Sequence, residues 1–194
     1  MPFKSLLKQF ISQFDNLSAE EVDQLSELLQ VVQYPAGTVL VNAGEISTAC
    51  YFVLQGCLRQ YQLVDGTERT THFYTEQQAA VLYSSYNQQI PANSYLACVE
   101  DSVLIAGEMA VEQSMYKQFP QLEQITRSMM AQDLGKSQDD YARFVTLSPE
   151  ERFRDLLNNR PELFQRVPQH QLASFIGVTP ESFSRIKKRI YGKI

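Results

Sequence analysis

Three side chains near the end of the chain, Glu181, Ser184 and Arg185, have the types and spacing to read the edge of a base pair. They fall at i, i+3 and i+4, so a helix would carry them on one face. A guanidinium can donate two parallel hydrogen bonds to guanine O6 and N7, and a carboxylate can accept from cytosine N4. A serine hydroxyl can serve a base or a phosphate. Phe183, Ile186 and Ile190 fall on the opposite face and would form an apolar back. Around the trio, His170, Thr179, Ser182, Lys187, Lys188 and Arg189 are candidate contacts to phosphates, and Lys193 adds a further positive charge. Contacts of that kind supply affinity without sequence information.

The elements that must position these groups are legible upstream. Thr179-Pro180 is an N-cap followed by proline at the first helical position. Glu181 then sits at N2 rather than N3, so a reciprocal cap does not occupy it. Gly177 offers the positive φ that ends a preceding helix, whose Leu172, Ala173 and Ile176 share one face. Two short helices across a Gly-Val turn are a helix-turn-helix pattern, with Pro180–Ile190 as the recognition helix. Double-stranded DNA is therefore the expected partner. Further upstream, Leu147-Ser148-Pro149-Glu150-Glu151 carries a capping box, and Phe153, Leu156 and Leu157 give the helix it opens an apolar face. From Leu122 a long helix of up to 25 residues is expected, with Leu122, Ile125 and Met129, then Leu134 and Tyr141, along a narrow apolar stripe. Gln132 and Gly135 interrupt that stripe. It can lie on the rest of the chain or pair with a second copy of itself.

Charge follows the same division. The 194-residue chain carries a net charge of −5. Residues 145–194 hold nine Lys and Arg against five Asp and Glu, a net of +4, while residues 1–144 come to −9. An acidic body with a basic end points to nucleic-acid contact by the end alone. Hydrophobic residues make up 44% and charged residues 20%, the composition of a globular protein. No run approaches the ~18 apolar residues of a membrane helix, and the N-terminus lacks a signal-peptide pattern. A cytoplasmic protein without membrane contact is expected. Cys50, Cys57 and Cys98 cannot all pair, and neither they nor His72 and His170 have metal-ligand spacing, so no metal or other cofactor is expected.

The first part of the chain reads as helical up to about Val31, with Leu17-Ser18-Ala19-Glu20-Glu21-Val22 forming a capping box and hydrophobic staple. From Val32 the texture changes to short β-branched and aromatic runs punctuated by Gly37, Gly44, Gly56 and Gly66. Asp65-Gly66, between Leu58–Val64 and Thr67–Tyr74, is a strong hairpin signal, because both central positions of a type I′ turn need φ > 0. Further strands are expected over Gln78–Leu82, Tyr95–Val99 and Val103–Ala106, giving an antiparallel sandwich or roll. A second helical region begins near Met109 and is broken or capped at Pro120. The fold class is α+β: an N-terminal, jelly-roll-like antiparallel β-roll with helices over 1–118, a long helix over 119–145 and a helix-turn-helix domain over 146–194.

This order of elements resembles the Crp/Fnr superfamily of transcription regulators. The resemblance rests on the glycine ladder of a cyclic-nucleotide-binding-type roll and on the run Leu172-Ala173…Gly177…Thr179-Pro180-Glu181-Ser182-Phe183-Ser184-Arg185. It implies a homodimer through the long helix, reading a palindromic operator with two recognition helices about one DNA turn apart. Glu181, Ser184 and Arg185 are similar to the arrangement of the Fnr-type branch. The resemblance also makes RNA polymerase a candidate partner and gives the roll a small-molecule effector of unknown identity.

Departures from the family pattern matter as much. Where cyclic-AMP-binding members carry a Gly-Glu pair and later an arginine, this chain has Val81-Leu82 and Asn93. A cyclic phosphate keeps its charge, and burying it without a cation is expensive. Arg59 and Arg69 are the nearest cations by sequence, so control by cyclic AMP is not expected. Tyr83, Tyr86, Ser94 and Tyr95, with Arg59, Arg69 and Asn93, form the candidate effector pocket. Related proteins often add a β-hairpin wing after the recognition helix; here contact through the helix and its flanks is expected. No catalytic or nucleotide-binding fingerprint appears, which argues against an enzyme. The rival reading is a ligand-sensing roll whose helical tail binds a protein instead of DNA.

Overall fold

The computed structural model describes residues 3–14 and 17–192; Lys193 and Ile194 of the closing segment lie outside the described residues. The chain divides into two compact units, residues 1–60 with 73–130 and residues 61–72 with 131–194.

Residues 30–108 form two four-stranded antiparallel sheets. One runs in the order β1 (Gln30–Tyr34), β8 (Ser102–Glu108), β3 (Ala49–Gln55), β6 (Ala79–Ala80). The other runs β2 (Val39–Val41), β7 (Tyr95–Cys98), β4 (Leu58–Val64), β5 (Thr67–Tyr74). In β3 and β8 the period-2 alternation of side chains sends apolar residues to both faces. Tyr51, Val53 and Leu104 enter the interior of the roll with Val41, Leu58, Ala80, Leu82 and Leu96. Leu54, Val103 and Ile105 point the other way, onto Leu7 and Ile11 of α1 (Lys4–Ile11) and Leu25 of α2 (Ala19–Leu28). The helices thus cover the outer face of one sheet.

Local signals act where the sequence puts them. Ser18 accepts from Glu21 N–H, and Glu21 closes the capping box of α2. The β4–β5 hairpin turns at Asp65 (φ 51°) and Gly66 (φ 72°), the two left-handed positions of a type I′ turn. Two expectations are corrected. The helical start does not run to Val31: Leu29 is already extended (ψ 128°), and β1 begins at Gln30 because Val31 and Val32 pair with Ile105 and Leu104 of β8. The strand expected over Gln78–Leu82 contracts to Ala79–Ala80, and a short helix, α3 (Tyr83–Gln88), follows. Leu82 is drawn into the roll's interior and the chain turns there, a packing choice that periodicity does not announce.

After β8 come α4 (Met109–Gln118) and the 27-residue α5 (Pro120–Thr146). Leu122 at the start of α5 packs with Phe119 against the α1–α2 side of the sheet. The helical part of the second unit then has α6 (Pro149–Asn159), α7 (Leu163–Arg166), α8 (Gln169–Phe175) and α9 (Pro180–Tyr191). Its core is aromatic: the ring centroids of Phe153 and Phe183, both fully buried, lie 5.0 Å apart, with Phe164 5.3 Å from Phe153. Among the described residues, no helix is long and apolar enough to cross a membrane.

Candidate nucleic-acid interface

The turn between α8 and α9 is a Schellman motif. Val178 N–H donates to Ala173 O at 2.9 Å and Gly177 N–H to Ser174 O at 3.1 Å, with Gly177 at φ 75°. Arg152 fixes the turn from below. Its Nη1 donates to Ile176 O at 3.1 Å, its Nε donates to Leu147 O at 3.0 Å, and its guanidinium stacks over the Phe144 ring at 4.0 Å. Thr179 then caps α9 by accepting from Ser182 N–H.

On α9, Phe183, Ile186 and Ile190 are buried, while Glu181, Ser184, Arg185, Lys187, Lys188 and Arg189 are exposed. The helix therefore has the apolar back and polar front that its spacing predicts. Glu181 is held below the usual carboxylate range, first by its own backbone N–H and then by the Thr179 hydroxyl. Arg185 Nη2 donates to Ser182 Oγ at 3.2 Å. Ser184 Oγ donates to Pro180 O at 3.0 Å and accepts from Gln169 Nε2 at 2.6 Å. His170 is exposed on the first turn of α8, and Ser182 is half-buried.

One cation of the front is already engaged. Arg189 Nη1 lies 2.7 Å from Glu150 Oε2, and Glu150 Oε1 also meets Arg154 at 3.0 Å. Glu150 and Pro149 of α6 border a groove of about 410 Å3, with Ser182, Arg185 and Arg189 of α9 on its other wall. Sequence reasoning missed Glu150 and Gln169. Each meets its α9 partner only through the tertiary fold, 39 and 15 residues away, and no local pattern marks them.

The candidate effector residues differ in burial. Arg59 is buried on β4, and Arg69 is exposed on β5. Tyr86 is buried with its hydroxyl donating to Glu112 Oε2 at 2.7 Å, and Tyr116 donates to the other oxygen of the same carboxylate. Tyr83 and Asn93 are exposed, and Tyr95 is half-buried. Buried Ser94 donates to Asn93 Oδ1 at 3.1 Å and accepts from Gln60 Nε2 at 3.4 Å. Asn93 and Ser94 of this group are thus joined by a hydrogen bond. Of the dimer-helix candidates, Leu122, Ile125 and Met129 are half-buried within the chain. The exposed apolar positions of α5 are Met130, Leu134, Tyr141, Phe144 and Val145.

Comparison with known proteins fits this architecture. The family model for the cyclic nucleotide-binding domain matches residues 31–117. No curated protein matches the sequence. Among solved structures, the global regulator CLP of Xanthomonas campestris is similar over 91% of this chain and 93% of its own, at 18% identity and a TM-score of 0.71. FixK2 of Bradyrhizobium japonicum matches over 85% of each chain at 15% identity and a TM-score of 0.68. The catabolite activator protein of Thermus thermophilus matches over 93% of this chain and 86% of its own, at 22% identity and a TM-score of 0.55. Residues 31–117 thus match the cyclic nucleotide-binding domain model, and as a whole the chain shares the fold of CLP and FixK2.

Proposed function

We propose that the protein is a cytoplasmic, sequence-specific DNA-binding transcription regulator and not an enzyme, with 1–118 as sensor, 119–145 as dimer helix and 146–194 as DNA-binding domain. The observation that carries this reading is α9. It is anchored by three buried apolar residues, entered through a Schellman turn and a threonine cap, and lined on its exposed side by Glu181, Ser184, Arg185 and Lys188. Such a helix enters the major groove with its first two turns against base edges. Lys187, Lys188 and Arg189, with His170, Thr179 and Ser182 at the flanks, supply phosphate contacts.

The protein acts as a homodimer on a two-fold-symmetric operator. The apolar residues left exposed along α5 support this, and Leu134, Tyr141 and Val145 are the residues that a second copy of α5 covers. RNA polymerase is the downstream partner of such a regulator. Cyclic AMP is not the effector. At the start of α3 the residues are Val81 and Leu82, and Leu82 is buried in the apolar interior, so no carboxylate meets a ribose there. Asn93 offers no charge for a cyclic phosphate.

Selection of bound duplexes from random DNA by the purified protein tests the reading. A two-fold-symmetric enriched site is expected, with affinity falling steeply as salt rises. No enrichment, together with salt-insensitive capture of a protein partner, would replace DNA by a protein as the target of the helical tail.

A further inference from the structure

Ser184 holds two hydrogen bonds, and together they fix what it can still do. A serine hydroxyl has one proton to donate and two lone pairs to accept with. The proton goes to Pro180 O, 3.0 Å away, in the i−4 back-bond available to serine in a helix. One lone pair takes a proton from Gln169 Nε2 at 2.6 Å. One lone pair remains. Gln169 is exposed on the first turn of α8, next in the chain to His170 and hydrogen-bonded across to the second turn of α9. Its amide orientation follows from the same network: with the Ser184 proton committed to Pro180, the group turned toward Oγ must be the NH2.

We infer that Gln169 and Ser184 form one base-reading unit, in which Gln169 fixes the polarity of the serine so that it acts only as an acceptor. This rests on the DNA-binding reading and deepens it. Toward the major groove, an acceptor meets an amino group, N6 of adenine or N4 of cytosine. It is repelled by O4 of thymine and O6 of guanine, which are acceptors themselves. A serine without Gln169 keeps only the Pro180 back-bond, so a single contact holds its proton and the proton can swing into the groove to satisfy either kind of base. Gln169 is therefore a positioning residue that converts a permissive hydroxyl into a discriminating one. Its role could not be read from α9 alone, since the residue belongs to the preceding helix.

The test is selection from random duplexes by the full-length wild type, Gln169→Ala, Ser184→Ala and the double variant, with thermal unfolding recorded for each. In the wild-type profile one position of each half-site should prefer adenine or cytosine over thymine or guanine on the strand facing Ser184. Gln169→Ala should weaken that preference about fivefold or more, as expected for loss of a directional contact to a base edge. Preferences elsewhere, and the unfolding temperature, should not move. Ser184→Ala should flatten the same position, and the double variant should be no flatter than the single ones, because the two residues act as one. The inference is overturned if Gln169→Ala leaves the profile intact, flattens a position that Ser184→Ala does not, or lowers affinity equally for all duplexes. If the wild type enriches no site, the DNA-binding reading itself fails. An enriched site with an unaltered Gln169→Ala profile sinks only the coupling.

Discussion

At the residue scale, the proposed DNA reading divides the exposed front of α9 into side chains that would discriminate and those that would only attract. Arg185 is exposed and its Nη2 donates to Ser182 Oγ, a bond that a guanine can replace. Arg185→Ala should cost about 1–3 kcal/mol in operator affinity and relax preference at one base pair. Competition with random DNA checks this, since equal losses on both would reduce Arg185 to a phosphate contact. Arg189 differs because Glu150 neutralises it. Glu150→Gln should raise affinity for all duplexes alike and steepen the salt dependence, as one more cation becomes available to phosphates. A loss of affinity in that variant would mean that the Glu150 pair orients Arg189 instead of competing for it. Glu181 has a lowered pKa, so its ionised form is fully present above the ordinary value of 4.5 and is lost only as pH falls through the still lower folded value. Base preference at its position should therefore be the same at pH 8 and pH 5.5 in binding profiles.

At the element scale, caps and turns hold α9 in place. The Ser148–Glu151 box at the start of α6 mirrors the one at Ser18–Glu21. Ser148→Ala should cost about 1 kcal/mol in denaturant unfolding, the usual value of such a cap. Gly177 is harder to replace. Its φ of 75° disfavours any side chain, and a methyl there would sit 3.2 Å from both Arg152 Nη1 and Phe144 Cζ. The hairpin between β4 and β5 is also pinned within the second unit: Ser174 Oγ on α8 donates to Glu68 O and accepts from Thr70 N–H, each at 2.9 Å. Ser174→Ala removes both bonds at once. It should speed hydrogen exchange at Thr70 N–H while leaving amides in the middle of β3 unchanged. These devices differ in legibility. The two boxes, the Thr179 cap, the Asp65-Gly66 turn and the Gly177 stop are short-range chemistry, complete within a few residues, and could be read directly. The Ser174 clasp joins residues more than a hundred positions apart and had no such signal.

At the scale of the whole molecule, the proposed palindromic operator requires α9 twice, and so a second copy of the chain. α5 has no fully buried residue, and it exposes Leu134 (62%), Tyr141 (70%) and Val145 (56%). Leu134→Lys combined with Tyr141→Lys should shift sedimentation from dimer to monomer and weaken operator binding far more than half-site binding. An unchanged sedimentation coefficient would place the dimer contact elsewhere. The sequence runs the apolar stripe from Leu122, Ile125 and Met129 on to Leu134 and Tyr141, but periodicity reports that a face is apolar and not what covers it. Leu122 is covered by the chain itself, against Phe119 and the α1–α2 core.

The sequence by itself determined the broad succession of sheet-rich part, long helix and C-terminal helices, the cap and turn residues, the two faces of α9 and the basic end, because each depends on neighbours within a turn or two. Tertiary structure alone decided which apolar residues of α5 stay uncovered and that Glu150 holds Arg189. It also brought Gln169 to Ser184. Those pairings are set by how helices pack, and packing joins residues whose separation along the chain carries no periodic trace.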